Sequence, residues 1–381
     1  MNKPTKTIIA AIIAILVIAG IWMVSTKDHT KKDTATSNGK PAAQKTVTIG
    51  AILGLTGEAA SYGQGAQKGI ELAVEKIKRE KNLDVQMVYE DSQMDPKKAV
   101  DSFQKLTSLK DVKYFTTMSS GEMLAICPLA ESKKDVLVGT GSSSAITNCG
   151  DYTFRDMPSD SFQGKEMAKK IYDRGVRKVA IMYINNEYGT GIKDEFTKNF
   201  QGEIVASEAH DPKGTDFRTQ LTKVKSFNPD AIVLISQLSE GSALLKQKGE
   251  LEISIPIYTS EGLKDENLIK NVPAEALKNI YSFFPIQYSG KESKEYKDNY
   301  TQKFDEDYAA FSDYMYDTIL MLADAMDKCV NPNDAECVKN KLYEINITGA
   351  TGKIVLDKNG DLEAKTYDLY TIQNNQFVAA N

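Results

Sequence analysis

Two serine-rich turns carry the groups best suited to hold a small anion. One spans residues 119–121 and the other residues 141–144, and each follows a short run that predicts a β-strand. In a parallel sheet the carboxyl ends of neighbouring strands meet at one edge, where open α/β folds hold ligands. Hydroxyls and main-chain amides at that edge can hold a buried carboxylate without a basic partner. The candidate groups belong to Ser119, Ser120, Gly141, Ser142 and Ser143. The alternative is that these serines only cap helices.

A third turn of this kind lies nearer the N-terminus. The strand-like run 47–53 breaks into a glycine-bearing stretch, 54–63, and an amphipathic helix begins near Gln64. Such a turn brings main-chain amides and a helix N-terminus to the same sheet edge. Together the three turns predict a binding site for a small polar molecule.

Glu261 is the candidate for the opposite charge, because it directly follows a predicted strand. A carboxylate buried there requires a cation, and an ammonium group would satisfy it. The alternative is an acid on a surface turn. Aromatic residues at strand-to-helix or helix-start positions could line an apolar wall, or could belong to the core. These are Tyr62, Tyr188 and Phe311.

The reactive residues argue against an enzyme. The histidines are His29 and His210, and neither lies near the serine turns in the sequence, as a serine triad would require. There is no Walker-type phosphate loop. Gly63, Gly65 and Gly69 resemble a dinucleotide fingerprint with its second gap one residue too long, so we interpret them as positions of close helix packing. The sequence lacks the Cys-x2-Cys spacing that is typical of zinc sites. We therefore expect no metal and no cofactor.

Chain length and net charge indicate the number of domains and argue against one class of ligand. The chain has 381 residues, too many for one typical core, so two domains are expected. A net charge of -5 and a pI of about 5.4 argue against nucleic-acid binding, which needs a basic face.

Elements of two kinds alternate from residue 46 onward. Short β-branched or aromatic runs are separated by segments with apolar residues at i, i+3 and i+4. This alternation predicts an α/β fold with parallel strands and helices on both faces of the sheet. The predicted strands are 47–53, 85–90, 112–118, 136–139, 179–184, 204–210, 231–235, 257–260 and 280–284. The predicted helices are 62–80, 96–109, 122–132, 161–174, 189–200, 217–227 and 241–248.

The β/α series occurs twice, which predicts two Rossmann-like lobes, each a parallel sheet flanked by helices. The extended segment 152–158 is the expected first crossover, and further crossovers would form the hinge. Helices at 293–307, 312–328 and 335–344 and strands at 354–357 and 367–372 should follow. We assign residues 46–157 and 286–365 to lobe 1 and residues 158–285 and 366–381 to lobe 2. Ligand would lie in the cleft between them.

The N-terminal segment has the properties of a membrane anchor. Residues 7–24 form an uncharged apolar run that, at about 1.5 Å per residue, just spans a hydrocarbon core of roughly 30 Å. Lys3 and Lys6 precede it, which places the rest of the chain outside the cytoplasm. A cleaved signal peptide is the alternative. We predict an anchor or signal segment over 1–26 and a solvated tether over 27–45.

Four cysteines in an extracytoplasmic chain suggest two disulfides. Cys329 and Cys337 flank a turn-rich stretch and should pair locally, which leaves Cys127 and Cys149, each just beyond one of the serine turns. That second bridge would tie the two turns together. The alternative is four buried free thiols.

Residues 46–381 resemble the type I periplasmic solute-binding proteins of the leucine/isoleucine/valine-binding kind, which supply ABC importers of branched-chain amino acids and related compounds. Six stretches carry the resemblance. They are Gly54-Leu55-Thr56-Gly57 with Tyr62-Gly63, Met118-Ser119-Ser120-Gly121, Gly141-Ser142-Ser143-Ser144, Tyr152-Thr153-Phe154-Arg155, Glu187-Tyr188-Gly189 and Ser260-Glu261-Gly262.

The resemblance implies roles for single residues. Ser120, Gly141 and Ser143 would hold the ligand carboxylate, and Glu261 would bind its α-ammonium. The aromatic residues Tyr62, Tyr188 and Phe311 would shape the side-chain pocket. The chain departs from the family after the strand 232–235, where a tyrosine is common and this sequence has Gln237 and Leu238.

We therefore expect an extracytoplasmic, membrane-anchored solute-binding protein that closes two lobes around an amino acid and delivers it to ABC permease subunits. The alternative is a ligand-sensing ectodomain that acts with a separate signalling partner. An enzyme on the same fold would turn over its ligand, and the reactive residues argue against it.

Overall fold

The structure is a computed structural model that describes residues 45–57, 60–363 and 365–380. The predicted anchor over residues 7–24 lies outside the described residues, as does the tether apart from Lys45. Among the helices of the described part, none is both long and apolar enough to cross a membrane.

The first sheet has five parallel strands in the order β2-β1-β3-β4-β5. Its central strand β3 and the neighbouring β4 are buried at every position, as expected when helices cover both faces. The strands are β1 (Lys45–Leu53), β2 (Leu83–Asp91), β3 (Tyr114–Thr117), β4 (Val136–Gly139) and β5 (Thr153–Arg155). The helices between them are α1 (Ala60–Glu80), α2 (Pro96–Lys110) and α3 (Ser120–Lys133).

The second sheet has seven strands in the order β14-β13-β10-β9-β8-β6-β7. Its consecutive β/α units are α4 (Asp160–Asp173), β6 (Lys178–Ile184), α5 (Glu187–Asn199), β7 (Glu203–His210), α6 (Arg218–Ser226), β8 (Ala231–Ile235), α7 (Leu238–Glu250), β9 (Ile257–Thr259), α8 (Glu266–Asn271) and β10 (Ile280–Pro285). The last two strands are β13 (Tyr367–Gln373) and β14 (Gln376–Ala379).

Between β10 and β13 the chain returns to the first sheet. This part comprises α9 (Lys291–Phe304), α10 (Ser312–Asp327), α11 (Ala335–Tyr343) and the hairpin of β11 (Asn346–Gly349) and β12 (Gly352–Val355). Helix α10 packs along α1 so closely that a Cβ at Gly69 would collide with the carbonyl oxygen of Ser312. The interpretation of Gly69 as a packing position is therefore confirmed.

The α/β fold with two lobes is as predicted, but helix α8 and strands β11 and β14 were not predicted, and three other details differ. The second sheet is mixed rather than parallel, because β13 enters beside the end of β10 and must run back along it, with Tyr367 opposite Pro285. Residues 153–155 of the expected crossover form β5. Helix α7 begins at Leu238 rather than 241, because Glu240 accepts a hydrogen bond from the Gln237 amide and stabilises an earlier first turn. The exact lobe boundaries stay a prediction.

The structure contains both predicted disulfides, Cys127–Cys149 and Cys329–Cys337. The first joins α3 to the end of the 3-10 turn Ser144–Asn148, with Cα atoms 5.6 Å apart. It therefore connects the elements that follow the two serine turns.

Candidate functional site

A cavity of about 640 Å³ lies between the carboxyl edges of the two sheets. Eight of the ten predicted ligand-binding residues line it. From the first lobe these are Tyr62, Ser119, Ser120, Ser142 and Phe311, and from the second they are Tyr188, Gln237 and Glu261. Gly141 and Ser143 belong to the same turn as Ser142 but are not among the lining residues.

The serine turns are bonded to each other through Ser120. Its Oγ accepts hydrogen bonds from the amides of Ser142 at 3.1 Å and Ser143 at 3.0 Å. These two amides therefore already have partners, which differs from the expectation that they hold the ligand directly. The Ser120 hydroxyl hydrogen stays available for an anion, at the start of α3, where the helix dipole also favours negative charge.

Two of the predicted serines act as caps. Ser119 accepts a hydrogen bond from the Glu122 amide and donates one to Glu122 Oε2 at 2.8 Å. Ser143 accepts from the amide of Ala145. Gly141 is packed so tightly against Ser120 and Met123 that a side chain there would displace them. For Ser143 and Gly141 the contribution to the site is the shape of the turn.

Arg155 fixes the second serine turn from behind. Its guanidinium, fully buried, donates to the carbonyls of Ser142 at 2.9 Å and Ser143 at 2.7 Å. It also pairs with Asp361 at 2.7 Å. The backbone of the turn is thereby fixed, and Ser142 lies in the wall of the cavity. The sequence showed Arg155 only as part of a family-like stretch, and its partner Asp361 is too distant in the chain to be inferred.

Glu261 opens the 3-10 turn that follows β9 and is only 4% exposed. Asp160, at the start of α4 and 0% exposed, lies next to it. Within the described part of the chain, Glu261 Oε2 and both carboxylate oxygens of Asp160 make no hydrogen bond. The amide of Gln163 lies beside Glu261, also without a hydrogen bond of ordinary geometry.

Burial strongly disfavours charge on this pair. It raises the pKa of Glu261 to about 6, although the neighbouring Gln163 and Tyr188 groups act in the opposite direction. Burial, and then the charge of Glu261, raise the pKa of Asp160 well above its usual range, against the effects of Ser142 and Arg155. Glu261 lines the cavity, and Asp160 lies beside it without lining the cavity itself, so a cation in the cavity would bind at Glu261, with Asp160 as a second acid nearby.

Sequence reasoning missed Asp160. A signal was present, since Asp160 is an acid placed directly after the crossover between the lobes. Asp and Glu are common in the first turn of any helix, however, so the position alone did not distinguish it.

One part of the cavity wall is apolar, while polar and charged residues such as Asp95, Lys98 and Glu187 line other parts. Met118 and Met157 line it together with the rings of Tyr62 and Phe311, whose centroids are 6.0 Å apart. Phe311 adopts a left-handed conformation with φ of 63°, a strained geometry for a residue with a side chain that is commonly found at functional sites. This wall suits an aliphatic or thioether side chain.

Tyr188 and Gln237 complete the second-lobe wall. The Tyr188 hydroxyl donates to Ser260 Oγ at 2.8 Å, so it supports the turn that carries Glu261. Gln237 precedes α7, at the position where a tyrosine was expected from the resemblance. Among the residues that the structure describes, no cluster of three or more His, Cys, Asp or Glu could hold a metal ion.

Comparison with known proteins agrees with this geometry. The periplasmic binding protein family matches residues 46–376. The Leu/Ile/Val-binding protein BraC3 of Rhizobium johnstonii is 26% identical over 359 residues, which cover 89% of this chain and 95% of BraC3. These and the structures below are solute-binding proteins and not enzymes.

Solved structures share the fold over 88% of the chain. The substrate-binding protein LivJ from Streptococcus pneumoniae, in complex with isoleucine, superposes with a TM-score of 0.79, 26% identity and 100% of its own chain covered. The leucine-binding protein LivK from Thermotoga maritima superposes with a TM-score of 0.82 and 25% identity, and 98% of its chain is covered. A solute-binding protein from R. palustris in complex with benzoate superposes with a TM-score of 0.80, and 96% of its chain is covered. Its sequence identity is 17%, so this similarity concerns the fold alone. The chain belongs to the periplasmic binding protein family, in the type I class that includes the Leu/Ile/Val-binding proteins.

Proposed function

We propose that this protein binds a free amino acid, branched-chain or related, in the cleft between its lobes and presents it to the permease of an ABC importer. The observation that carries the proposal is that one cavity has hydrogen-bond donors on one side and buried carboxylates on the other. The Ser120 hydroxyl and the N-terminus of α3 offer donors to an anion, while Glu261 and Asp160 offer unpaired buried acceptors to a cation. A zwitterion satisfies both.

The apolar wall supports an aliphatic side chain. Met118, Met157 and Phe311 lie on the first-lobe side of the cavity, where a side chain would project from an α-carbon held between Ser120 and Glu261. Methionine side chains adapt to irregular shapes, which fits a site that accepts several aliphatic amino acids.

The buried acids favour an amino acid over an aromatic acid. Benzoate, the ligand of the R. palustris protein, is an anion without an ammonium group. It would leave both acids without a counter-charge and would therefore bind poorly here. The Leu/Ile/Val-binding relatives support the same choice.

Binding would proceed by hinge closure. The ligand carboxylate docks on Ser120 and Ser142 of the first lobe, and the second lobe then brings Tyr188 and Glu261 over the ammonium. Closure excludes water from the acids and strengthens their attraction to the ammonium. The closed form is the species that the permease subunits would recognise.

Isothermal titration calorimetry with matched ligands tests the proposal. L-Leucine, isoleucine, valine and methionine are compared with 4-methylpentanoate, which lacks the ammonium of leucine, and with 3-methylbutylamine, which lacks the carboxylate. We expect binding of at least one amino acid and a loss of about 100-fold or more for either truncated analogue, since each leaves buried polar groups unpaired. Benzoate or 4-methylpentanoate binding as tightly as leucine would refute an amino-acid site.

The family implies an extracytoplasmic location. We further propose that residues 7–24 anchor the protein to the membrane. Fractionation of cells tests this, since the full-length chain should stay with membranes after washing in high salt and be released by detergent. Nothing in the described part of the chain favours the sensor alternative over transport.

A further inference from the structure

The hydroxyl of Tyr62 joins the two lobes directly. Tyr62 lies on α1 of the first lobe, and its Oη donates to the carbonyl of Gly262 at 3.1 Å. The same oxygen accepts a hydrogen bond from the amide of Leu238 at 3.1 Å. Both partners belong to the second lobe, where Leu238 is the first residue of α7 and Gly262 directly follows Glu261.

The contact is specific and well enclosed. Tyr62 is 7% exposed, and its ring is held within the first lobe by Phe311. The Gly262 backbone is equally constrained, because a Cβ there would lie 2.6 Å from the carbonyl oxygen of Ser236. Two firmly held elements on opposite lobes therefore meet at one hydroxyl.

The two hydrogen bonds depend on lobe closure and include no ligand atom. When the lobes separate, the Tyr62 hydroxyl moves away from the Gly262 carbonyl and the Leu238 amide, and each of the three groups binds water instead. The two hydrogen bonds therefore stabilise only the closed conformation. They also fix the backbone next to Glu261, the residue assigned to the ligand ammonium.

We propose that Tyr62 is a latch, a positioning residue whose hydroxyl holds the lobes together and sets the Glu261 turn against the first lobe. The inference rests on the proposed hinge closure. Tyr62 would then have two roles, because its ring lines the pocket and its hydroxyl stabilises the closed conformation.

Tyr62→Phe is the direct test, because it removes the hydroxyl and keeps the ring against Phe311. Tyr114→Phe is the matched control. The Tyr114 hydroxyl is also buried and donates to a main-chain carbonyl, that of Pro332 at 2.7 Å, but this bond lies within the first lobe. Each variant is compared with the wild-type full-length chain, and thermal unfolding confirms that each one folds.

Closure is measured by single-molecule fluorescence energy transfer between dyes on p-acetylphenylalanine at exposed positions Lys97 of α2 and Thr219 of α6. Populations are recorded without ligand and with saturating L-leucine, and leucine dissociation is followed by stopped flow. Tyr62→Phe should lower the closed-to-open ratio about tenfold, the effect of a net loss of one to two hydrogen bonds, and should raise the dissociation rate by a similar factor. Tyr114→Phe should change neither quantity.

Equal closed fractions in Tyr62→Phe and the wild type, both with and without leucine, would overturn the latch. A fall of the same size in Tyr114→Phe would also overturn it, since it would show a general effect of losing a buried hydroxyl bond. Failure of the proposed function has a different signature, in which no amino acid changes the wild-type distance. The comparison of the two variants without ligand still decides the latch in that case.

Discussion

Replacing Glu261 with glutamine tests the charge assignment most directly. The substitution keeps the size of the side chain and removes its charge from a site that is 4% exposed. Removing one partner of a buried ion pair typically costs about 3–5 kcal/mol. In this protein Asp160 lies beside Glu261, and its pKa is raised partly by the charge of Glu261. Without that charge Asp160 ionises more readily and recovers part of the attraction to the ligand.

We therefore expect Glu261→Gln to weaken amino-acid binding by about 2–3 kcal/mol, or roughly 30- to 150-fold. Asp160→Asn should also weaken binding, but by less, because burial and the charge of Glu261 already raise the pKa of Asp160 well above its usual range and disfavour its charge. If both acids share one ammonium, the double variant should lose an amount that differs from the sum of the single losses by about 1 kcal/mol or more.

Calorimetry of the wild type, the two single variants and the double variant completes the cycle. Glu266→Gln is the control, because Glu266 is an exposed acid close in sequence on the same lobe, and its replacement should leave affinity unchanged. Unchanged affinity in Glu261→Gln would refute the assignment. Strict additivity would show that Asp160 and Glu261 do not share the ammonium.

Four further predictions concern the pH dependence of affinity, the pH dependence of stability, the ion pair of Arg155 and the first disulfide. Because burial raises the pKa of Glu261 to about 6, affinity measured by calorimetry should be nearly constant above about pH 7 and fall by up to about tenfold per unit below pH 6. The stability of the ligand-free protein, measured by thermal unfolding, should depend on pH in the opposite direction. The pKa of Glu261 is higher in the folded state than the usual 4.5, so its contribution to stability increases as the pH falls from about 6 to 4.5. Arg155→Met should lower the free energy of unfolding in urea by about 3–5 kcal/mol, because it leaves Asp361 buried without its partner, and a change below about 1 kcal/mol would contradict this. Replacing Cys127 and Cys149 together with serine should cost roughly 3 kcal/mol by the same measurement, as expected for a bridge between residues 22 apart, and an unchanged midpoint would contradict a stabilising bridge.

The sequence was informative about the fold because its signals are local. Apolar spacing and turn residues predicted the alternating elements, and the strand ends with serines do lie at one edge of the first sheet. The pairing of β13 could not be predicted in the same way. Its antiparallel direction depends on where the chain re-enters the second lobe, which is a property of the tertiary structure. β5 has only three residues and gave too little pattern to separate a strand from a linker.

The site was predictable where a residue type stands alone at a strand end, as Glu261 does. It was not predictable where a role depends on a distant partner. Ser119 and Ser120 are neighbours of the same type, yet one caps α3 and the other bonds the next turn. Asp160 and the hydroxyl of Tyr62 have their neighbours far away in the chain, Glu261 for the first and Gly262 and Leu238 for the second, and such neighbours leave no mark on the nearby sequence.

The ion pair of Arg155 and Asp361 has a consequence for biosynthesis. Its two members are 206 residues apart in the chain, so the arginine that fixes the second serine turn lacks its ion-pair partner Asp361 until almost all of the protein has been made. A nascent chain that ends before Asp361 would carry the complete first series of strands but an unsupported anion site. This support of the second serine turn is thereby completed only when synthesis is nearly finished, and chains truncated before this point would lack it.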